Sequence, residues 1–561
     1  MTQPPDRQWP QGAFGAAQNQ GQQGGFGAAQ NQQNQGQQGA YPPPPAQAPQ
    51  TPPAPLTPGY GDGYGGAGPY GTPPPYGAHP TQPQPHPSTG RPRRVGRVAV
   101  AVAAVAALLV AGGVTYAVSS GDGQKPSPVA GASDDAPKPA GSPTASAGQD
   151  AAEDLNAQRR AGEARVLFVT KNDADVPGDG AWAQGPWVVG DTVVKAMYRE
   201  VTGYSVTDGA KKWTVKLDSD ICMAAPQHSP DGKIVIGVLD GHSSKSDCSV
   251  LRMIDAKTGT AGWRTTVPKP KGMTAFSDLV LALSGNTVTA VGTDTSFGYS
   301  VTDGRQLFGK PSAGCLPFAF AGGSRLIAAA DCPTAADEVV RQELQGIDPA
   351  TGRPAWRYAL EADWKVDKVF SVAPLAFFAH KEDMAGEVVD RKVLVLTDTG
   401  RLRSRIVFGT DEFEPRCGSG TILLRGEIQG WCAGAAADGS AVYLATKGSA
   451  NEVVTFDLDT GRATGRSSPG DERSITPLTA EDGTVVHHIG PSIYAGGAVS
   501  TVAPAGGERK VLLKLPKTDA EGFSEARAVF ADGRLFLLVP LVQALDDTAE
   551  QKTNTMMAFG K

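Results

Sequence analysis

The stretch YSVTDGAKKWTVKL, residues 204–217, contains the pattern that decides the fold. A short apolar run leads into Asp208 and Gly209, and Trp213 follows four positions after the glycine. Aspartate hydrogen-bonds nearby backbone groups in tight turns, and glycine accepts the positive φ that such turns need. The stretch therefore predicts a β-hairpin whose outgoing strand carries a large ring, placed to fill a seam between neighbouring sheets.

The same pattern returns along the chain at intervals of 45 to 61 residues. Close copies begin at Arg252, Tyr299 and Gln345, and weaker copies begin at Leu394 and Val454. A repeat of about 50 residues with four short strands is typical of a β-propeller blade. The residues that define the repeat are Asp208, Gly209, Trp213, Asp255, Gly259, Trp263, Gly304, Phe308, Asp348, Gly352, Trp356, Gly400 and Gly461.

The predicted fold is all-β, a propeller of about eight four-stranded blades over residues 164–561. Six clear turns, a degenerate turn at residues 503–507 and a last strand near residues 556–559 give this number. Seven blades remain the alternative, because the interval from Gly400 to Gly461 has room for an insertion. We expect residues 165–170 to pair with the last strand, since ring closure removes two exposed sheet edges.

Six cysteines follow the apolar segment at residues 98–118, and none precedes it. An even number on one side of a membrane predicts disulfides in an oxidising compartment, with free buried thiols as the alternative. No C-x-x-C spacing or Cys/His cluster occurs, so no metal site is expected. The predicted pairs join neighbours: Cys222–Cys248, Cys315–Cys332 and Cys417–Cys432.

Residues 1–97 are rich in Gln, Gly and Pro and contain almost no Val, Ile or Leu. Such a segment cannot bury enough apolar surface to offset its ordering entropy, which predicts a disordered tail. Thr51, Thr57 and Thr72 are each followed by Pro and are candidate phosphorylation sites. We interpret the tail as a docking segment for a cytoplasmic partner. The alternative is a solvated segment that binds no partner.

Residues 98–118 contain no charge and are long enough to cross a bilayer as one helix. The preceding cluster of Arg91, Arg93, Arg94 and Arg97 predicts a cytoplasmic N-terminus by the positive-inside rule, and hence an extracellular C-terminal domain. A cleaved signal peptide is the competing interpretation, but signal peptides begin with far shorter segments. Residues 119–163 have the composition of a flexible linker.

Charge is distributed unevenly along the chain. Residues up to Arg97 carry a net +3, and the whole chain carries −6, which leaves −9 on the remainder. A nucleic-acid partner is therefore not expected for the folded part. The expected contacts are the bilayer, an unknown protein or cell-envelope ligand on the propeller face, and the partner of the tail.

The repeat D-x-x-T-G-x-x-x-W resembles the PQQ-like, quinoprotein-type β-propeller repeat. Asp255, Thr258, Gly259 and Trp263 match it closely, and so does the copy from Asp348 to Trp356. Quinoprotein dehydrogenases and binding-only outer-membrane assembly lipoproteins share this repeat. The layout of tail, membrane anchor and propeller is similar to membrane proteins of actinobacteria.

No catalytic motif for acyl transfer, phosphate binding or metal-dependent hydrolysis occurs. His487 and His488 are adjacent on a predicted strand and point to opposite faces, so they are not expected to share a metal. Asp457 and Asp459 fall in a repeat turn. The resemblance implies that a PQQ enzyme would use a disulfide between adjacent cysteines against its quinone, and no two cysteines here are adjacent.

The sequence therefore favours a non-catalytic, membrane-tethered binding module without a cofactor. A PQQ-dependent dehydrogenase is one alternative. A transmembrane sensor with a phosphorylated or docking tail is the other.

Overall fold

The computed structural model describes residues 147–561, apart from residues 244, 270–278, 293, 335–336, 414–425, 504–507, 518–522, 524 and 544–545. In these residues, eight antiparallel sheets follow one another along the chain. Each sheet forms one blade of a propeller, so the eight-bladed prediction is confirmed and the seven-bladed alternative is wrong.

The strands of the first four blades are short and follow the chain in order. The chain enters through α1 (Ala147–Ala157) and β1 (Arg165–Lys171). Blade 1 contains β2 (Ala181–Val189), β3 (Thr192–Met197), β4 (Glu200–Ser205) and β5 (Lys211–Lys216). Blade 2 contains β6 (Ile221–Ala224), β7 (Lys233–Leu239), β8 (Cys248–Asp255) and β9 (Ala261–Thr266). Blade 3 contains β10 (Val280–Ser284), β11 (Thr287–Gly292), β12 (Thr295–Ser300) and β13 (Gln306–Phe308). Blade 4 contains β14 (Leu316–Ala321), β15 (Leu326–Thr334), β16 (Asp337–Ile347) and β17 (Pro354–Ala359).

The last four blades continue the same arrangement. Blade 5 contains β18 (Trp364–Val372), β19 (Leu375–Glu382), β20 (Val388–Leu396) and β21 (Leu402–Ile406). Blade 6 contains β22 (Ala435–Ala437), β23 (Ala441–Ala445), β24 (Val453–Asp457) and β25 (Ala463–Ser467). Blade 7 contains β26 (Ile475–Glu481), β27 (Thr484–Ile489), β28 (Ala498–Val502) and β29 (Lys510–Lys514). The chain ends with β30 (Arg527–Ala531), β31 (Arg534–Leu538), β32 (Leu541–Val542), α2 (Asp547–Lys552) and β33 (Asn554–Gly560).

In each of blades 2 to 7 the strands pair in chain order, and the first strand lies innermost, next to the ring axis. The second and third strands are mostly buried, whereas fourth strands such as β5 and β17 alternate between exposed and half-buried residues. This alternation is typical of a strand with one face on a core and one in water. The axis is therefore lined by the first strands.

Blade 8 closes the ring with strands from both ends of the domain. β1 pairs with β33, with Val166 opposite Phe559, and its sheet continues through β31 to β30. The short strand β32 also pairs with β2 of blade 1. The predicted closure by residues 165–170 is confirmed. The first and the last strand of the domain pair with each other in one sheet.

The repeat aromatics fill the seams between blades, as predicted. A Cβ placed on Gly259 would lie 2.5 Å from the ring of Trp213, which belongs to the preceding blade. On its other side the same ring covers Gly203 of its own blade, where a Cβ would lie 2.3 Å away. Both positions therefore need glycine. The seam pairs are Phe168 with Gly209, Trp213 with Gly259, Trp263 with Gly304, Phe308 with Gly352, and Trp356 with Gly400.

The aspartates of the repeat stabilise the turns. Oδ1 of Asp255 accepts hydrogen bonds from the backbone N–H groups of Lys257 at 2.9 Å and Thr258 at 3.0 Å. Asp457 makes the equivalent bonds, which confirms that the residues around Asp459 form a repeat turn. These local bonds explain why Asp and Gly recur together.

Two predicted disulfides are confirmed, Cys222–Cys248 in blade 2 and Cys315–Cys332 in blade 4. Cys432 is also disulfide-bonded. Its predicted partner Cys417 lies outside the described residues, and among the residues that are described no cysteine is free.

Helix α1 lies inside residues 119–163, where the composition predicted a flexible linker. Ala152 is buried in a core shared with Val166 and Leu513. The side chain of Asn156 donates to the carbonyl of Val166 at 2.8 Å and accepts from its N–H at 3.0 Å. The folded unit therefore begins before residue 164, because a small apolar helix face packs on the last two blades.

The remaining N-terminal predictions concern residues outside the described part of the chain. They include the tail, the apolar segment 98–118, the arginines that precede it, and Thr51, Thr57 and Thr72. Among residues 147–561 as described, neither helix is long and apolar enough to cross a bilayer.

Candidate functional site

The connection between blades 5 and 6 enters the ring axis. β21 ends at Ile406 and β22 begins only at Ala435, a far longer connection than the repeat requires. Its residues 426–432, here called the axial plug, contact the first strands of several blades or the residues that directly follow them. Since the first strands line the axis, the plug occupies the channel that a propeller ring encloses.

Gln429 joins the plug to blades 2 and 4. Its Oε1 accepts hydrogen bonds from the N–H of Gly322 at 2.6 Å and from Nε2 of Gln227 at 2.7 Å. Its Nε2 donates to the carbonyl of Gly322 at 3.1 Å. Gln227 also accepts from the N–H of Leu283 in blade 3, at 3.1 Å. The carboxamides of Gln429 and Gln227 together connect the first strands of blades 2, 3 and 4 near their ends.

Blade 5 holds the neighbouring part of the plug through its backbone. Nζ of Lys368 donates to the carbonyl of Glu427 at 2.9 Å, and the N–H of Val369 donates to the carbonyl of Ile428 at 2.7 Å. Ile428 is 2% exposed and packs in the core of blades 4 and 5. The plug is therefore an integral part of this core.

Trp431 anchors the plug to blades 1 and 8. Its ring meets Trp187 edge to face, with 5.7 Å between centroids, and the guanidinium of Arg527 lies 5.3 Å from its centroid. Arg527 also donates to the carbonyl of Ala183 at 2.7 Å. Burial lowers the pKa of Arg527 to about 10, and the charge of Glu427 opposes this shift.

Little free space remains between the plug and the first strands of blades 2 and 3. The cavity between the plug and the first strands of blades 2 and 3 has a volume of about 20 Å³. One water molecule needs about 10–15 Å³, and a pocket for a small molecule is on the order of 300 Å³ or larger. The lining of the cavity beside the plug includes Met223, Pro226, Val280, Glu427 and Trp431.

This geometry bears on whether PQQ, which the PQQ-like repeat implies, fits the ring. Protein fills the space between the plug and the first strands of blades 2 and 3, and the two disulfides with described partners lie within blades 2 and 4 and do not join adjacent cysteines. A planar quinone needs a slot with charged groups around its carboxylates. The described residues beside the plug do not provide such a slot.

A second candidate region is the ring face formed by the connections between second and third strands. In an antiparallel blade this connection lies at the end where the first strand begins, so all of these connections share one face. The β15–β16 and β19–β20 hairpins are longer than their counterpart in blade 3. Exposed apolar residues on this face are Val340, Met384, Val388, Val389, Ile493 and Tyr494.

Lys195 and His487 are buried basic residues that lie outside both regions. Burial lowers the pKa of Lys195 to about 8, and its Nζ donates to Thr555 at 3.0 Å across the junction of blades 1 and 8. His487 is 1% exposed in β27, and burial lowers its pKa to about 4. Neither group faces a second catalytic side chain in the described residues, so both are interpreted as structural.

The structure also places three potential metal ligands together, Cys315, Cys332 and Glu343, within 4.8 Å of one another. The two sulfurs are joined in a disulfide and therefore offer no thiolate. The repeat residues predicted from the sequence form turns and seams instead of a site. The axial plug was missed, and its only sequence signal was the long interval from Gly400 to Gly461.

Comparison with known proteins agrees with the repeat assignment. A family model described as outer membrane protein assembly factor BamB matches residues 159–358 and 246–411. The match covers less than half of the chain, and it agrees with the predicted resemblance to the PQQ-like propeller repeat. The matched residues include β1 and blades 1 to 5. No characterised protein compared by sequence matches the chain.

Solved structures with low sequence identity are similar to the chain. BamB from Moraxella catarrhalis is 14% identical with a TM-score of 0.39, covering 71% of this chain and 98% of its own. A europium-containing methanol dehydrogenase is 12% identical with a TM-score of 0.39, covering 71% and 92%. A quinohemoprotein alcohol dehydrogenase from Pseudomonas putida HK5 is 12% identical with a TM-score of 0.38, covering 72% and 79%. Because the sequence identities and TM-scores are low, these similarities indicate nothing about the activity of the chain.

Proposed function

We propose that the chain is a non-catalytic binding module, tethered to the membrane by residues 98–118, whose propeller binds a protein or cell-envelope ligand outside the cell. The exposed apolar side chains on the projecting hairpins of neighbouring blades 4 and 5 carry this proposal. Val388 is 42% exposed and Val389 is 58% exposed, although both lie in β20. Apolar side chains held in water on a rigid element favour contact with a partner.

Sequence features support the location. The arginines before residue 98 favour a cytoplasmic N-terminus, and disulfides favour an oxidising compartment for the ring. The tail of residues 1–97 would then face the cytoplasm and be available to a second partner.

Proximity labelling tests the binding face. The full-length chain carries a labelling enzyme at its C-terminus and is compared with a Val388→Asp/Val389→Asp variant. We expect the variant to label its principal extracellular partner at least fivefold less, because two charges replace apolar contacts. Val511→Asp is the matched control, since Val511 is 54% exposed on a fourth strand of blade 7. Equal labelling by all three proteins would contradict the proposal.

A PQQ-dependent dehydrogenase is the competing function. The purified full-length protein is mixed with PQQ and Ca²⁺, and dye reduction is followed with primary alcohols and sugars as substrates. We expect no turnover above the protein-free rate, because the described residues beside the plug form no slot for the quinone. Substrate-dependent dye reduction would reject the non-catalytic proposal.

A further inference from the structure

The axial plug is bound by groups that other parts of the ring hold in place. The side chains of Gln429 and Trp431 both make specific contacts with the first strands or with the residues that directly follow them. Gly430 separates them. The plug is therefore comparable to a short peptide ligand covalently attached to its receptor.

We propose that the ring axis is a peptide-recognition site for a carboxamide side chain followed two residues later by an indole, and that residues 427–431 occupy this site in cis. This inference concerns the axis and does not depend on the proposed binding at the hairpin face.

The carboxamide subsite is selective because of its hydrogen-bonding pattern. Gly322 offers both an N–H and a carbonyl to Gln429, at 2.6 Å and 3.1 Å. Only a group with an adjacent acceptor and donor satisfies both. A carboxylate would place a charged oxygen against the carbonyl of Gly322, and an ammonium would leave the N–H without a partner.

The same subsite is held in shape by the ring. A Cβ on Gly322 would lie 2.2 Å from the carbonyl oxygen of Leu283, so glycine allows blades 3 and 4 to approach closely here. Gln227, the other partner, is fixed by the N–H of Leu283. Groups ordered before binding lose little entropy when a ligand arrives, which favours recognition.

The indole subsite is also preorganised. Trp187 is 2% exposed, and its Nε1 donates to the carbonyl of Ala225 at 3.1 Å. Arg527 is held by the carbonyl of Ala183 and lies over the ring of Trp431. An edge-to-face aromatic contact combined with a guanidinium favours the electron-rich indole over an aliphatic side chain.

Peptide complementation tests the site. The full-length Gln429→Glu/Trp431→Ala variant weakens the plug and is titrated with a synthetic peptide, Gly-Glu-Ile-Gln-Gly-Trp-Ser, which copies residues 426–432 with Ser at the position of Cys432. We expect the peptide to bind this variant and to raise its melting temperature, whereas wild-type protein binds at least tenfold more weakly because its site is filled. A peptide with Glu at the position of Gln429 should bind the variant at least tenfold more weakly than the parent peptide.

Two outcomes would overturn the proposal: a folded variant that does not bind the peptide, or equal affinity for the Gln and Glu peptides. If the double variant does not fold, the single variant Gln429→Glu decides the question. It should melt at a lower temperature than wild type, whereas Gln306→Glu, at an exposed position in β13, should not. Equal melting temperatures for the two single variants would reject the carboxamide subsite.

Discussion

Blades 1 to 5 and blades 6 to 8 have the same four-stranded architecture but are joined by different side chains. Up to the turn at Gly400, each repeat glycine packs against an aromatic ring of the preceding blade, and the first of these rings, Phe168, comes from the closing strand. At Gly461 this arrangement ends, because a Cβ there would meet the carbonyl oxygen of Arg405 at 2.3 Å instead of a ring.

The seam between blades 5 and 6 is filled by a cluster of phenylalanines. Phe408 lies 4.9 Å from Phe413 between centroids, and Phe413 lies 5.8 Å from Phe456. These residues do not share the spacing of the repeat, and the family model ends at residue 411. The sheet architecture therefore needs a filled seam between blades, whereas a repeat that is recognisable in the sequence needs the same kind of side chain in every seam.

Truncating a seam ring should have the largest effect. Trp263 lies over Gly304 and donates from Nε1 to the carbonyl of Val301 at 2.7 Å. Trp263→Ala should lower the free energy of unfolding by about 3–5 kcal/mol, because it leaves a cavity and an unpaired carbonyl. Trp182→Ala, at a position that is 36% exposed, should cost less than half as much in the same urea titration. Equal losses would show that the seam ring has no special role.

Substituting the glycine that packs against the Trp263 ring should have a smaller effect on stability than removing the ring. Gly304→Ala places a Cβ 2.6 Å from the Trp263 ring and also strains a residue at φ +73°. We expect a loss of about 2–4 kcal/mol. Gly285→Ala in the same blade adds a Cβ at φ +56° with no atom within 4 Å, so about 1 kcal/mol is expected from strain alone. Identical losses would mean that the ring moves aside freely.

Acid should destabilise the second group of blades through His487 in blade 7. Burial lowers the pKa of His487 in the folded chain to about 4, whereas an unfolded histidine titrates near about 6.5. Folding therefore favours the neutral form of His487. The free energy of unfolding does not depend on this group above about pH 6.5, and it declines as the pH falls from there toward 4. The loss should total about 1–3 kcal/mol.

Urea titrations at pH 7.5 and pH 4.5 measure this loss. His487→Gln should reduce the pH dependence without abolishing it, because burial also lowers the pKa of the neighbouring His488 to about 4. His242→Gln, on an exposed loop of blade 2, should leave the pH dependence unchanged. A pH dependence that both variants retain in full would locate its origin elsewhere.

The smallest effect is expected for an ion pair across the seam of blades 5 and 6. Nε of Arg403 lies 2.7 Å from the Asp459 carboxylate, which is 73% exposed. Asp459→Asn should lower the free energy of unfolding by less than about 1 kcal/mol, and the difference should vanish in 1 M NaCl because salt screens exposed charges. A salt-independent loss above this size would indicate that blade 6 depends on the pair.

The fold was predictable because its signals are local and repeated. The turn bonds of Asp255 involve neighbours two and three residues away, and the contact between Trp213 and Gly259 recurs with each blade. Cysteine pairs within a blade are also close in sequence. Helix α1 was missed, because an alanine-rich segment resembles a linker until the surface on which it packs is known.

The axial plug was not predictable for a different reason. The hydrogen bond between Gln429 and Gln227 joins residues 202 positions apart, and neither residue belongs to the repeat. Periodicity describes what blades have in common, whereas the plug is a single insertion that contacts many blades at once. A long interval between repeats indicates an insertion but does not show where it packs.

Amide hydrogen exchange of the full-length chain tests most directly whether its own segment fills the ring axis. We predict that peptides covering residues 426–432 are protected to a degree similar to the first strands β6 and β14, because Ile428 is buried and Trp431 packs on Trp187. The tip of the β19–β20 hairpin, residues 384–386, should exchange within seconds as an internal reference. Exchange of residues 426–432 as fast as that tip would show that the plug does not fill the axis, which would then be open to solvent.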